Sequence, residues 1–334
     1  MKRAGQAVQF DRYGAVDELH FVPQEMPTAS RDELVVEVVA AGLNHLDSYV
    51  RAGDFAAEVP LTFPARQGSC FAGIVRARGK DVHGIAVGAD VLGHAVGNGA
   101  HASYVVVPAT AVVLKPPTVE WEVAGGLYLA GTTALAIIRN LRVGPDDVVV
   151  ITAAAGGVGH LQVQLAITAG ATVIGTGSAH NHDYIRSLGA VPVTYGDGLI
   201  ERIRTAAHDR PITALIDNHG SSGDLAEQLG VVRSRFVSTE DRRDVELKFY
   251  TADGIDPEPA DLLRHLVRLI EQHSLRMLVS GFYPFQYLQQ ATADLDARHS
   301  RGKVIVGMKT AVTGAGVSSH YLGQKARAFH ESVA

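Results

Sequence analysis

The chain has 334 residues with 35 acidic and 30 basic side chains, a formal charge of -5, so it lacks the cationic excess that nucleic acid or an acidic membrane surface demands. Hydrophobic residues at 46% and charged residues at 19% suit a folded globular protein, and the length predicts two domains rather than one. A lone cysteine, Cys70, excludes an intrachain disulfide and any zinc site built from several thiolates. The opening residues, Met1 to Arg12, lack the apolar stretch of a secretory signal, and no run of 18 uninterrupted apolar residues occurs. The expectation is a cytoplasmic protein whose partners include neither membrane nor nucleic acid.

In chain order, residues 1 to about 115 are short Val-rich runs broken by Gly, Pro and Asp, as in Leu34–Val39, Gly73–Val75 and Tyr104–Pro108. That pattern predicts strands and turns of a barrel-like β domain. Lys115-Pro116-Pro117-Thr118 reads as a boundary, with Thr118 a candidate cap for a helix beginning near Glu120. The rhythm then changes. Asp147–Ile151 is an apolar strand, followed by a glycine turn, a helix to about Ala169 and a second strand at Ala171–Gly175. Further strands at Ala214–Asp217 and Arg235–Ser238 alternate with helical stretches, which predicts a doubly wound parallel sheet in an α/β fold. Leu262, Leu266, Leu269 and Ile270 share one face of an amphipathic helix over Leu262–Glu271.

The segment Thr152-Ala153-Ala154-Ala155-Gly156-Gly157-Val158-Gly159-His160 lies between apolar strand and helix. Gly156 lets backbone amides approach a pyrophosphate, Gly159 lets helix and strand pack closely, and the helix N-terminus supplies partial positive charge. Ala155, Gly156, Gly157, Val158 and Gly159 are therefore the candidate pyrophosphate contacts, although the first position of the G-x-G-x-x-G register is Ala154. At the end of the second strand, where a carboxylate would hold the ribose 2′-hydroxyl of NAD, the sequence reads Thr176-Gly177-Ser178-Ala179-His180. Without a carboxylate there, a 2′-phosphate meets no repulsion, which favours NADPH, with Ser178, His182 and Tyr195 as its candidate contacts. Plain turn and surface roles are the alternatives for these three.

With these residues in view, the chain resembles the medium-chain dehydrogenase/reductase superfamily and, within it, the zinc-independent quinone oxidoreductase family. The resemblance is carried by Ala41–Gly53, Val87–Val91, Gly99–Pro108, Ala130–Ala134, the glycine turn and Gly302–Val306. It implies a GroES-like β barrel at 1–118 that acts as the catalytic domain, a Rossmann NADP-binding domain at 119–275 and a segment 276–334 returning to the first domain. It also implies a homodimer paired through the Rossmann sheet, with the strand near Phe236 at its edge. Two positions that hold zinc in zinc-dependent relatives are matched here by Asn44 and Ser69, both poor zinc ligands, so no metal is expected. Cys70 reads as a buried small hydrophobe at that loop.

Without a Lewis acid, hydrogen-bond donors must stabilise the charge that develops on the substrate oxygen as hydride arrives. The resemblance points to Asn44 and Tyr49 for this task, with Arg51 a neighbour, to Thr133 beside the nicotinamide, and to Lys303 among the cofactor contacts. Structural readings stand beside these: Asn44 as a helix cap, Tyr49 as a core tyrosine, Thr133 as a residue bonded back within its helix. The implied activity is NADPH-dependent reduction of a quinone or an α,β-unsaturated carbonyl. Phe55 stands where enoyl-thioester reductases of the superfamily carry a catalytic tyrosine, which disfavours that alternative. A third reading is an NADPH-binding sensor without turnover. Residues from about Phe55 to Pro64, from Glu240 to Pro259 and beyond Lys309 match no pattern.

Overall fold

The computed structural model describes residues 4–57, 60–220, 222–240, 259–298 and 300–308. The undecoded stretches 241–258 and 309–334, and two residues of the Phe55–Pro64 stretch, lie outside them. The described residues fall into two compact units, one drawn from Met1–Leu129, Leu263–Gln272 and Leu278–Ala334, the other from Ala130–Leu262 and His273–Met277.

In the first unit the Val-rich runs form antiparallel strands. Glu33–Gly42 is central: it pairs with Cys70–Arg78, Tyr104–Pro108 and, far along the chain, Lys303–Gly307. Asp90–His94, Val112–Leu114 and Val279–Pro284 extend this sheet. A smaller sheet joins His20–Glu25, Ala4–Phe10 and Ala65–Arg66. Phe10, Leu34, Val36, Phe71, Val91, Val107, Leu288 and Val306 fill the interior. Each such side chain, fully buried, contributes about 1.5–3 kcal/mol of transfer free energy, which explains why β-branched residues crowd these strands.

The second unit carries the parallel sheet, in the spatial order Val191–Val193, Thr172–Thr176, Val148–Ile151, Ala214–Asp217, Phe236–Ser238. Counted along the chain this is 3-2-1-4-5, the doubly wound order. The order reverses beside Val148–Ile151, so the crevice for a ligand opens past the ends of that strand and Ala214–Asp217. Both strands are wholly buried, which is why they read as continuous apolar runs rather than alternating ones. Phe236–Ser238 is the edge strand among the described residues.

Two local expectations are corrected. Thr118 does not cap the helix that follows: the helix runs Trp121–Asn140, and the Thr118 hydroxyl donates to Glu271 at 3.4 Å. The buried face of the helix Pro259–Glu271 is Leu262, Leu263, Leu266 and Val267, with Leu269 only half-buried. The helix Trp121–Asn140 is long and apolar enough to span a membrane by composition, yet 89% of that stretch is buried within the protein, as befits a core helix.

Candidate functional site

In the first unit the helix His45–Ala52 begins where the strand Glu33–Gly42 ends, and its start is fixed by a short polar lock. Asn44 has extended backbone at the N-cap, and its N–H donates to the Asp47 carboxylate at 2.9 Å. Gly53, with φ 90°, closes the other end by donating to the Tyr49 and Val50 carbonyls. Asn44 is thereby held at a strand-to-helix corner with its side chain buried.

That side chain has defined neighbours. The Lys303 ammonium donates to Asn44 Oδ1 at 2.7 Å and to the Leu43 carbonyl at 2.7 Å. Asn44 Nδ2 donates to Ser69 Oγ at 3.2 Å, while its other contacts, to Gly42, Asp47 and Cys70, are no shorter than 3.5 Å. Lys303 arrives through the strand Lys303–Gly307, whose pairing with Glu33–Gly42 sets Val304 to accept from the Leu43 N–H. Burial pushes the Lys303 ammonium below the usual lysine range, against the pull of Cys70 and Asp47. Burial pushes the Asp47 carboxyl up, opposed by His101, the Asn44 N–H and Lys303. The Cys70 thiol is fully buried, is pushed up by that burial, and accepts from the Leu129 N–H at 3.4 Å. This agrees with its reading as an inert, packed thiol.

Tyr49 is half-buried one turn along the helix, stacked on His45 with ring centroids 6.2 Å apart, and its phenol oxygen accepts from the Arg298 guanidinium. Arg51 lies elsewhere. Its guanidinium donates to the Ala15 carbonyl at 3.1 Å and to Gln67 Oε1 at 2.8 Å and faces Asp296 at 3.7 Å. Gln67 passes the chain on to buried His101, whose other nitrogen donates to the Gly42 carbonyl. These bonds tie Arg51 to the fold of the first unit.

The second unit holds the glycine turn. Ala153 adopts φ 46°, and the turn is anchored by Ala153 N–H on Thr176 Oγ1 at 3.2 Å and Ala154 N–H on the Thr176 carbonyl at 2.9 Å. His160, fully buried, bonds the Gly156 carbonyl through Nδ1 at 2.7 Å. The N–H groups of Gly157, Val158 and Gly159 have no backbone partner among the described residues, which leaves them for an anion at the start of the helix Gly159–Thr168. Past the second strand, Ser178 Oγ accepts from Asn181 and His182 bonds Thr194 at 3.3 Å, while Tyr195 is exposed. Sequence reasoning missed Arg202, which donates to the carbonyls of Thr194, Gly196 and Asp197 and so puts a permanent cation on this loop. Thr133 is buried on the helix Trp121–Asn140, in this unit. Lys303, expected among the cofactor contacts, belongs to the first unit and bonds Asn44.

Asp217 was legible only as a strand end. Its carboxylate accepts from Thr152 Oγ1 and Ser222 Oγ at 2.8 Å each, from the N–H groups of His219, Gly220 and Ser222, and from Ser238 Oγ at 3.2 Å. Desolvation pulls this carboxyl up, but the donors outweigh it and hold it below the usual range. A carboxyl depressed in the folded state stabilises fully above its unfolded pKa, about 3.9, and the contribution fades as pH falls through the folded value. Asp217→Asn is therefore expected to cost about 3 kcal/mol at pH 7, because charged acceptance is lost and an amide faces donors. Denaturant unfolding of both proteins from pH 7 to pH 2 should show the gap constant to about pH 4.5 and narrowing below as pH falls toward the folded value. A gap independent of pH would refute the charged network.

Two family models match the chain: the alcohol dehydrogenase GroES-like domain over residues 30–117 and the zinc-binding dehydrogenase over residues 197–306. A chloroplastic quinone-oxidoreductase homolog of Spinacia oleracea is 36% identical over 194 residues, 55% of this chain and 59% of that one. The quinone oxidoreductase of Coxiella burnetii superposes with a TM-score of 0.78 at 28% identity, over 92% of this chain and 100% of that structure. Along most of its length the chain is similar to quinone oxidoreductases of the medium-chain dehydrogenase/reductase superfamily. Its fold is accordingly the GroES-like domain joined to a Rossmann sheet. A mycobacterial protein of known structure, solved with NADPH, superposes with a TM-score of 0.79 at 26% identity, over 90% of this chain and 99% of that one. The spinach alignment spans about three fifths of that relative's length. In this chain Asn44 and Ser69 meet at 3.2 Å, with a lysine ammonium beside them. Among the described residues no three His, Cys, Asp or Glu side chains come together as a metal would need.

Proposed function

We propose that the chain is an NADPH-dependent oxidoreductase that transfers a hydride to the conjugated carbonyl of a quinone or an α,β-unsaturated ketone or aldehyde, using side-chain donors in place of a metal. The observation that carries the reading is the buried Asn44 amide, whose oxygen is engaged by Lys303 and whose amino group keeps one N–H with no contact shorter than 3.5 Å. Such an N–H suits the substrate oxygen, on which negative charge grows as hydride leaves C4 of the nicotinamide. Tyr49, its phenol bonded to Arg298, is the second donor and the proton source in this scheme.

The residues present fit NADPH. The amides from Gly157 to Gly159, which lack a backbone partner among the described residues, receive the pyrophosphate, with Ala155 and Gly156 shaping the turn. Ser178, His182 and Tyr195, with the cation of Arg202 on the same loop, receive the 2′-phosphate, and Thr133 bonds the carboxamide. Packed amide and hydroxyl groups at Asn44 and Ser69, with a protonated thiol at Cys70, make a poor zinc set, which supports the metal-free scheme. A cytoplasmic homodimer completes the proposal.

Purified protein is expected to oxidise NADPH in the presence of quinones or enones. Ser178→Asp is expected to raise the KM for NADPH by about tenfold or more while sparing NADH, since the new carboxylate repels the 2′-phosphate and can hold the 2′-hydroxyl. Absence of any substrate-dependent NADPH oxidation across a panel of quinones and enones would overturn the reading.

A further inference from the structure

Lys303 is a buried cation with defined work. Its side chain reaches the corner where the strand Glu33–Gly42 gives way to the helix His45–Ala52, and both of its bonds there go to backbone or amide oxygens. An ammonium has donors only, so the group facing it must be an acceptor. The two ends of the Asn44 amide are alike in size, so its neighbours choose its orientation, and the longer contacts to Gly42 and Asp47 choose it only weakly. The lysine settles the choice: Oδ1 must face Nζ, and the amino end must point away, toward Ser69, the Gly42 carbonyl and Asp47. A cation on the amide oxygen also withdraws electron density from the nitrogen and makes its N–H a stronger donor.

We propose that Lys303 is the positioning residue of the reaction: its ammonium fixes the flip state of the Asn44 amide and polarises it, so that Asn44 presents a strengthened N–H to the oxygen of the substrate. The proposal rests on the reading of Asn44 as the substrate-oxygen donor. It gives the Gly302–Val306 block a role in the chemistry other than cofactor contact. Lys303 supplies positive charge one side chain removed from the substrate oxygen, the service a metal ion would otherwise provide. Asp47, whose carboxylate holds the Asn44 N–H, and the lone thiol of Cys70 are the acidic groups that face this ammonium.

Lys303→Met keeps the length and apolar stem of the side chain and removes the charge. It is expected to lower kcat by about 10- to 100-fold, as befits loss of a polarising group that does not itself touch substrate. NADPH affinity, read by titrating the cofactor's fluorescence, is expected to stay within about twofold of wild type. Two further readouts separate positioning from simple damage. The loss should deepen from strongly electron-poor quinones to weakly activated enones, because only the latter depend on stabilised charge, whereas a disturbed fold lowers all rates alike. In an Asn44→Ala background, Lys303→Met should cost less than about threefold more, since a residue acting through Asn44 has nothing left to act on. Lys303→Arg, which keeps donors and charge, should recover part of the rate, and it also serves if the methionine variant fails to fold.

Wild-type kcat in Lys303→Met, a uniform loss across substrates, or losses that multiply in the double variant would each overturn the proposal. If Asn44→Ala itself proves as active as wild type, the underlying reading fails, and this inference with it. If Asn44→Ala is impaired and Lys303→Met is not, only the inference fails.

Discussion

Gly159→Val is expected to abolish saturable NADPH binding and to weaken the second unit as well. A Cβ at this position would stand 2.4 Å from the Ala153 carbonyl oxygen and 3.0 Å from the Ala154 Cα, both backbone atoms of the same turn. Neither can move cheaply: Ala153 already holds φ 46°, and Ala154 is bonded to the Thr176 carbonyl. Overpacking against such atoms costs about 3 kcal/mol or more, at the top of the usual range, and it must be relieved by shifting the amides that would receive the pyrophosphate. Gly156→Ala is the control. Its Cβ meets only the Ala153 carbonyl oxygen, at 3.1 Å, so the fold should survive with NADPH binding weakened by about 1.4 kcal/mol, or tenfold. Circular dichroism and fluorescence titration on the two variants check both halves. Near-wild-type affinity in Gly159→Val would contradict the geometry of the turn.

The contrast between these glycines shows what a sequence conveys. Strand, turn and helix around Gly156 and Gly159 are legible because the signals are local: a buried apolar run over Val148–Ile151, then residues without side chains. Four of the five parallel strands follow from the same rhythm, whereas Val191–Val193, three residues with Pro192 at the centre, is too short to give a period. What is not legible is set by distant pairing. Lys303 reads as a cofactor contact within the block Gly302–Val306, but its bond to Asn44 spans 259 positions, and only the antiparallel register of Lys303–Gly307 on Glu33–Gly42 brings the two together. Arg51 sits on the same helix as Tyr49, so spacing alone associates them. Its partners at Ala15, Gln67 and Asp296 come from three other segments, and they assign it to the scaffold. Thr118 satisfies the composition rule for a cap, yet a glutamate brought near by the helix Pro259–Glu271 takes its hydroxyl. Asp217 is the same case in the second unit, since Thr152, Ser222 and Ser238 converge on it only once the sheet is assembled. Local propensity places elements; buried polar partners are chosen by tertiary contact.

Asn44→Ala is expected to lower kcat/KM for quinone or enone by about 10²- to 10³-fold, the usual cost of one lost oxyanion donor. Most of that loss should fall on kcat, because the N–H matters most when charge has developed on the oxygen. Truncation also strands Lys303, whose ammonium would keep only the Leu43 carbonyl, so the alanine variant alone mixes catalysis with stability. Asn44→Asp separates the two. An aspartate of the same shape offers Lys303 a carboxylate, an attraction that offsets part of the repulsion its second oxygen meets from Asp47 and the Gly42 carbonyl, so thermal stability should fall no further than that of the alanine variant. It has no N–H to give, however, and it sets negative charge where the substrate oxygen must become negative. Its rate should therefore fall at least as far as that of the alanine variant while its melting temperature falls no further. Steady-state kinetics paired with thermal unfolding of the two variants tests this. An aspartate variant that turns over faster than the alanine one would mean that the substrate oxygen is received somewhere other than at Asn44.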